Sequence, residues 1–410
     1  MTIPYPAPWT TVTLAVTMSL TAVGCGNDRA TEADAEAELE RLRALGYVGF
    51  TESRVQPGEK TVPVFDEERS AAGYNLVSNR DLTSAQLFDA RGRVVRSWED
   101  PGANHWSNAE LLQNGDLLVT GSEQKDATGS NFLLRMSWGG DVLWRKQINA
   151  HHDAELTPSG TIATLTFHFR EIPAVSGEHQ VKDHSLTLLT PDGELVEEHS
   201  FYEMLCTSPD RFTCNDVAPK FQEGTAFIDL LHPNSIEFMR HRQLIERHPL
   251  YAPTNVLVSF RHQDTIAIFD WEAKRLLWSW GRGEISAQHD ATVLDNGNIL
   301  MFDNGVDRSW SRIIELDPIG KRIVWEYKAE ESSEFFSLRK GSNQRLANGN
   351  TLVANSDSGE AFEITSGGEI VWRFLNPNAD ERGRRATIVR IHRYAPEFIH
   401  ELIDASGPGS

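Results

Sequence analysis

Four histidines stand at like places in segments that otherwise share a pattern: 104-NHWSNAEL, 151-HHDAEL, 231-LHPNSIEF and 288-QHDATV. His105, His152, His232 and His289 each come just ahead of a short apolar run, and two of the four segments share the form H-D-A. An imidazole can attack sulfur or phosphorus as a neutral nucleophile, give or take a proton near neutral pH, or ligate iron or zinc. A single histidine at a strand end is more often a hydrogen-bonding residue of the rim of a core, and His151 beside His152 reads as the solvated member of its pair. Four at equivalent positions point instead to a gathered site. Arg261 helps to choose among the chemistries. It lies within 257-LVSFRHQDTIAIFD, between two apolar runs, where a guanidinium needs an anion or a carboxylate. Its planar fork can hold two oxygens of a sulfate or phosphate, and the same charge would repel a metal from a nearby histidine shell. Anion transfer is therefore favoured over metal chemistry, with an ion pair between Arg261 and an acid of a neighbouring unit as the structural alternative. Asp153 and Asp290 would face away from their histidines in a regular strand, because adjacent side chains alternate, so they read as partners for backbone or neighbouring donors.

A repeat is what could bring positions 105 to 289 together. Six stretches consist of a short apolar strand, a Gly- or Asp-rich turn and a second strand: 87-LFDARGRVVRSW, 133-LLRMSWGGDVLW, 187-TLLTPDGELVEEH, 268-IFDWEAKRLLWSW, 314-IELDPIGKRIVWEY and 362-FEITSGGEIVWRF. Trp278, Trp325 and Trp372 recur at intervals of 47 residues, and Trp98 and Trp144 are 46 apart. Between these lies a second hairpin type, seen in 111-LLQNGDLLV, 156-LTPSGTIATL, 294-LDNGNILMF and 346-LANGNTLVA, where the turn residues tolerate positive φ. Two hairpins make a four-stranded antiparallel blade that cannot bury its own apolar faces. Stacking the units radially does so and limits exposed edges. The pattern predicts an all-β fold, a six-bladed β-propeller over residues 61–400, with the four histidines opening the innermost strands of successive blades at one mouth of the ring. An irregular excursion over 199–227 interrupts the third unit and is placed over a mouth, where specificity can reside.

The remaining chain is read as an export segment over 1–25, a linker with a short amphipathic helix over 26–60 (Leu39, Leu42 and Leu45 on one stripe) and a polar tail over 401–410. Residues 9–23 are uncharged and apolar or small, and small residues lead up to Cys25, as in a lipoprotein signal whose cysteine is acylated; a generic secretory signal or a hydrophobic anchor is the alternative. This predicts an exported, periplasmic or otherwise extracytoplasmic protein whose only attachment to a membrane is through its N-terminus. In an oxidising compartment Cys206 and Cys214 could then staple the excursion, whereas they lack the spacing of a C-x-x-C redox or zinc pair. A formal net charge of -20 disfavours nucleic acid as a partner.

Taken together, Q-H-D-A followed by L-D-N-G-N-I-L-M-F-D-N-G, then H-P-N-S-I-E, S-F-R, W-E-Y, Q-R-L-A-N-G-N-T-L-V and the late 388-IVRIHRYAPEF resemble the arylsulfate sulfotransferase family across most of the chain after about residue 70. Set against the well-known bacterial members, this sequence is shorter, and the comparison implies that much of their N-terminal β domain is not among its residues. The resemblance implies a propeller that moves a sulfuryl group from a phenolic sulfate ester to an acceptor phenol, without a nucleotide donor, a metal or another cofactor. Position by position, it implies that His289 becomes transiently sulfated, that His152 and His232 stabilise sulfuryl oxygens and assist proton transfer, and that Arg261 holds the sulfate. Asn234 is implied to orient His232 or donate to the ester, and His105 to line the acceptor pocket. Phe132, Phe167, Phe169, Phe227 and Phe335 are candidates for an aromatic surface, with core packing as the default for each. Two other classes stay open: an exported propeller that binds protein or glycan without catalysis, and a metal oxygenase or hydrolase ligated by the four histidines.

Overall fold

The computed structural model describes residues 49–124, 129–207, 212–222 and 225–406. Cys25, the export segment and the amphipathic stretch 32–48 lie outside the described residues. Six antiparallel sheets follow one another, each counted here as a blade from its innermost strand outward. Blade 2 comprises His105–Leu111, Leu117–Ser122, Asn131–Met136 and Val142–Gln147. Blade 3 comprises Ala154–Leu156, Ile162–Arg170, Gln180–Leu189 and Leu195–Ser200, with Thr225–Ile228 and Lys220–Gln222 added by the excursion. Blade 4 runs through Pro233–Phe238, Asn255–Phe260, Thr265–Asp270 and Arg275–Trp280. Blade 5 runs through His289–Val293, Ile299–Asp303, Arg312–Asp317 and Arg322–Tyr327. Blade 6 runs through Ser342–Arg345, Thr351–Asn355, Glu360–Ile364 and Ile370–Leu375, edged by Val64–Phe65. Blade 1 is shared between the chain's ends: Ile388–Tyr394 pairs as its innermost strand with Tyr74–Asn79, followed by Ser84–Phe88 and Val94–Glu99.

The recurring tryptophans have a mechanical role. The indole N–H of Trp98 on the outer strand of blade 1 donates to Ser137 O in the outer turn of blade 2, at 3.2 Å. Trp144 reaches Pro191 O, Trp278 reaches Pro318 O and Trp325 reaches Ser366 O, each at 3.0 Å and each one blade further on. Trp372 donates to Ala90 O at 2.8 Å and so latches blade 6 back to blade 1. Blade 3 lacks the tryptophan, and its joint to blade 4 is made by Glu197 with Lys274 at 2.9 Å and by His199 edge-on to Trp271. Between blades the core is apolar, as where Leu165, Leu186 and Phe201 of blade 3 meet Val258 and Phe260 of blade 4. The Asn-Gly turns adopt the conformation their composition requires, with Gly297 at φ 89°.

Two boundaries differ from those read in the sequence. Residues 50–54, assigned to the linker, form a strand that pairs with Arg384–Ala386. Residues 401–406, read as the start of a polar tail, belong to a helix, Pro396–Ser406, whose Phe398, Ile399 and Leu402 pack on the tryptophan-rich core between blades 1 and 2. Its short apolar stripe straddles position 400, where the sequence pattern sets the end of the propeller. Among the described residues no helix is long and apolar enough to cross a membrane.

Candidate active site

The inner strands of blades 2 to 5 begin at the same mouth, and the chain is bent where it enters three of them. His152 and His232 precede their strands at φ 58° and 46°, and Asp290 takes φ 52° within a bulge just after His289. Left-handed backbone at a non-glycine residue costs free energy, and here it turns histidines out of the regular alternation. The two aspartates act between blades, as their strand positions suggested. Asp153 Oδ2 accepts from Ile236 N at 3.0 Å and Asp290 Oδ2 from Asn343 N at 2.7 Å. Arg390, from the strand that closes the ring, bridges both, donating to Asp153 Oδ1 at 3.1 Å and Asp290 Oδ1 at 2.6 Å.

His289 is buried, and its tautomer follows from its partners. Asn304 Nδ2 donates to Ser337 O at 2.6 Å and Lys340 O at 2.9 Å, which turns Asn304 Oδ1 toward His289 Nδ1 at 2.8 Å. Ala287 O lies 3.1 Å from the same nitrogen. Both neighbours are acceptors, so Nδ1 carries the proton and Nε2 the lone pair, and Nε2 has no hydrogen-bond partner. Burial, and then the charge of Arg261, push the His289 pKa down to about 4, so the ring is neutral at physiological pH.

Arg261 sits in the tight turn Arg261–Gln263 between the second and third strands of blade 4. Its guanidinium donates to Leu338 O at 3.3 Å, its Nε is unpartnered, and it forms no ion pair among the described residues, so the alternative of a neighbouring acid does not hold. The excursion braces this turn: Asn215 N donates to Gln263 Oε1 at 2.7 Å, and Gln263 Nε2 to Asn215 O at 3.1 Å. The excursion is itself closed by the Cys206–Cys214 disulfide.

On the blade 3 side the rings form a cluster. His152 Nε2 lies 3.1 Å from His232 Nε2, and His232 Nδ1 donates to Asp229 Oδ2 at 2.6 Å. Burial alone would raise the Asp229 carboxyl, but His232, Lys220 and His262 around it hold it well below its usual range. Burial lowers His152 and His232 well below the ordinary histidine value, outweighing Asp229's opposite pull on His232. His151, expected to be solvated, is buried instead, against His152 and His184 with ring centroids 4.9 Å away in each case. His105 opens its strand as expected but touches none of the other histidines; its Nδ1 faces Asn104 Nδ2 at 3.2 Å, and the charge of Arg80 acts on both His105 and His152. Asn234 does not orient His232. Its Nδ2 donates to Gln288 O at 2.8 Å, fixing the backbone just ahead of His289. Phe132, Phe167, Phe227 and Phe335 are core residues, and only Phe169 is partly open.

Asp229, His232 and His262 present ligand atoms within 4.8 Å of one another. The ammonium of Lys220 already occupies that ground, 3.0 Å from Asp229 Oδ2 and 3.2 Å from His262 Nε2, so a built-in cation stands where a metal would have to bind. Of the four histidines read as a ligand shell, His289 commits Nδ1 to Asn304 and His105 stands apart. Sequence reasoning missed Asn304, Asp229, His184, His262 and Lys220. Asp229 had a local signal, its position three residues before His232, and Asn304 stood in the second D-N-G, 303–305, just after the strand that pairs with Q-H-D-A.

A sequence model of the arylsulfotransferase (ASST) family matches residues 108–377, more than half of the chain and all of the site apart from His105, Arg80 and Arg390. The chain belongs to the arylsulfotransferase family. Membership supports aryl sulfotransferase activity, with small-molecule aryl sulfates and phenols as substrates. No curated protein matches the chain. Among solved structures, a Bacteroides caccae protein of unknown function aligns at 14% identity with a TM-score of 0.51, over 79% of this chain and 99% of that chain, a likeness of fold. Virginiamycin B lyase from Staphylococcus aureus, as a catalytically inactive variant with quinupristin, aligns at 11% identity with a TM-score of 0.45, over 79% and 87% of the two chains. The Cps50 (Swd1) β-propeller domain of Myceliophteria thermophila aligns at 12% identity with a TM-score of 0.44, over 84% and 100%.

Proposed function

We propose that this arylsulfotransferase moves a sulfuryl group from an aryl sulfate to a phenol through a covalent sulfohistidine at His289, with no nucleotide donor. One observation carries the proposal: Asn304 holds the proton on Nδ1, leaving a lone pair without a partner on Nε2 of a ring that feels the charge of Arg261. In the first half-reaction Nε2 bonds sulfur as the S–O bond to the ring breaks, and the phenolate departs with the electron pair. The imidazole becomes a cation, and Asn304 Oδ1 and Ala287 O, already aimed at Nδ1–H, stabilise it. Arg261 holds the sulfuryl oxygens, a task suited to its planar fork. In the second half an acceptor phenol gives up its proton and attacks sulfur, and the N–S electron pair returns to Nε2. The chain His152–His232–Asp229 offers the proton a place, since the carboxylate balances an imidazolium at either ring. His105 and Asn234 act at a distance from sulfur, His105 at the rim and Asn234 through Gln288. The apolar run before Cys25 and the Cys206–Cys214 disulfide support action outside the cytoplasm.

The test mixes the purified chain with a chromogenic aryl sulfate, with and without a second phenol. Release of the donor phenol that depends on the acceptor, and almost none from His289→Ala, is the expected result. Undiminished turnover by His289→Ala would remove His289 from the nucleophile's role.

A further inference from the structure

A wall rises beside the histidines from the middle hairpin of blade 3. Strands Ile162–Arg170 and Gln180–Leu189 pair along their length, whereas the inner strand covers only Ala154–Leu156, opposite Ile162–Thr164. The far end of the hairpin therefore extends past the start of the inner strand. Its register sets Phe167 opposite His184 and Phe169 opposite Lys182, and residues two apart share a face, so these four side chains look the same way. That face meets the cluster, because Phe167 and His184 both contact His151, with ring centroids 5.5 Å and 4.9 Å away. Lys182 Nζ lies 3.9 Å from the centre of the Phe167 ring. It has neither an ion-pair partner nor a hydrogen-bond acceptor among the described residues. The carboxylate whose charge it feels, Asp229, is already bonded to His232 and Lys220. Burial lowers Lys182 to about 8, which still leaves it mostly charged at neutral pH. Phe169 stands edge-on between Phe167 and Phe227, with ring centroids 5.8 Å and 5.3 Å away, and offers an aromatic edge next to the ammonium.

A half-buried ammonium without a counter-ion costs free energy, and the sulfuryl group does not require it, since that role is given to Arg261, whose charge acts on His289. We propose that Lys182 and Phe169 form a subsite for an anionic substituent on the substrate's ring, so that the favoured acceptors are phenols bearing a carboxylate. This rests on the aryl sulfotransferase reading of the same mouth and adds the class of phenol to it. The leaving phenolate of one half-reaction and the acceptor of the other use the same space, so the preference extends to donors.

The test compares para-hydroxyphenylacetate with its amide, which matches it in shape and lacks the charge, both as acceptors against a chromogenic aryl sulfate whose ring bears no charged substituent and as ligands in calorimetric titration. The acid is expected to be favoured by about twofold to fivefold in KM and in affinity, the upper part of the range of a partly exposed ion pair. In Lys182→Met the ratio should fall to near one, and in Lys182→Glu it should invert and favour tyramine over the acid. Equal use of acid and amide by the parent chain overturns the proposal, as does a preference that survives Lys182→Met. Binding that favours the acid in a chain that moves no sulfuryl group would uphold the subsite and remove the transfer reading.

Discussion

Replacing Asn304 with leucine removes the oxygen that His289 Nδ1–H reaches at 2.8 Å and leaves Ala287 O, at 3.1 Å, as the remaining acceptor. In the resting site the lost bond is neutral and contributes about 1 kcal/mol; once Nε2 bonds sulfur the ring is a cation, and the same bond contributes about 2–3 kcal/mol. Only the difference of about 1–2 kcal/mol acts on the barrier, because the neutral bond is present in the ground state too. At about 1.4 kcal/mol per factor of ten, sulfuryl uptake should slow by about fivefold to thirtyfold. The variant also deprives Ser337 O and Lys340 O of their amide donor, which lowers stability by about 2 kcal/mol or more. Single-turnover release of the donor phenol measures the first effect, and urea unfolding the second. The pH profile supplies a third. Protonated His289 is inactive, so the acid limb of kcat/KM lies near pH 4 in the parent chain. The Asn304 bond raises that pKa against burial and Arg261, so losing it moves the limb to lower pH. A variant that unfolds more easily yet takes up the sulfuryl group at the parent rate would make Asn304 a strut and refute the tautomer argument.

Arg261→Lys keeps the charge and loses the fork, so kcat/KM for an aryl sulfate should fall by about tenfold to a hundredfold in steady-state assays. Arg390→Met leaves Asp153 and Asp290 buried without their shared cation and should cost about 3 kcal/mol in urea unfolding. Stability should decline as pH falls below the ordinary histidine value of 6.5: His105, His184, His262 and His392 are lowered to about 3 in the fold, so the unfolded chain binds protons first. Thermal unfolding between pH 7 and pH 4 measures that decline, and a midpoint unchanged over this range would contradict it.

The blades were legible because their signals are local: Gly and Asn at turns that need positive φ, period-two strands, and a tryptophan at 46- or 47-residue intervals that proves to be an interblade latch. The meeting of His152 with His232 accords with their equivalent places in that repeat. What stayed hidden depends on contacts no local pattern records. Lys220 arrives from the irregular excursion, and its partners Asp229 and His262 come from the strand connection and the blade 4 turn. Asn304 looked like one more turn residue, and only the packing of Ser337 and Lys340 around its amide turns its oxygen toward His289. His105 shares the repeat position, yet its ring meets Asn104 and none of the other histidines.

The account rests most directly on a covalent bond at one nitrogen. The chain is exposed briefly to an aryl sulfate without acceptor, quenched, digested and analysed by mass spectrometry. A single added sulfuryl group on the peptide carrying His289, located on that residue, discharged by a phenol and absent from His289→Ala, is the predicted result. The same group found on His152 or His232, or transfer to phenol at full rate with no covalent species during turnover, would contradict it.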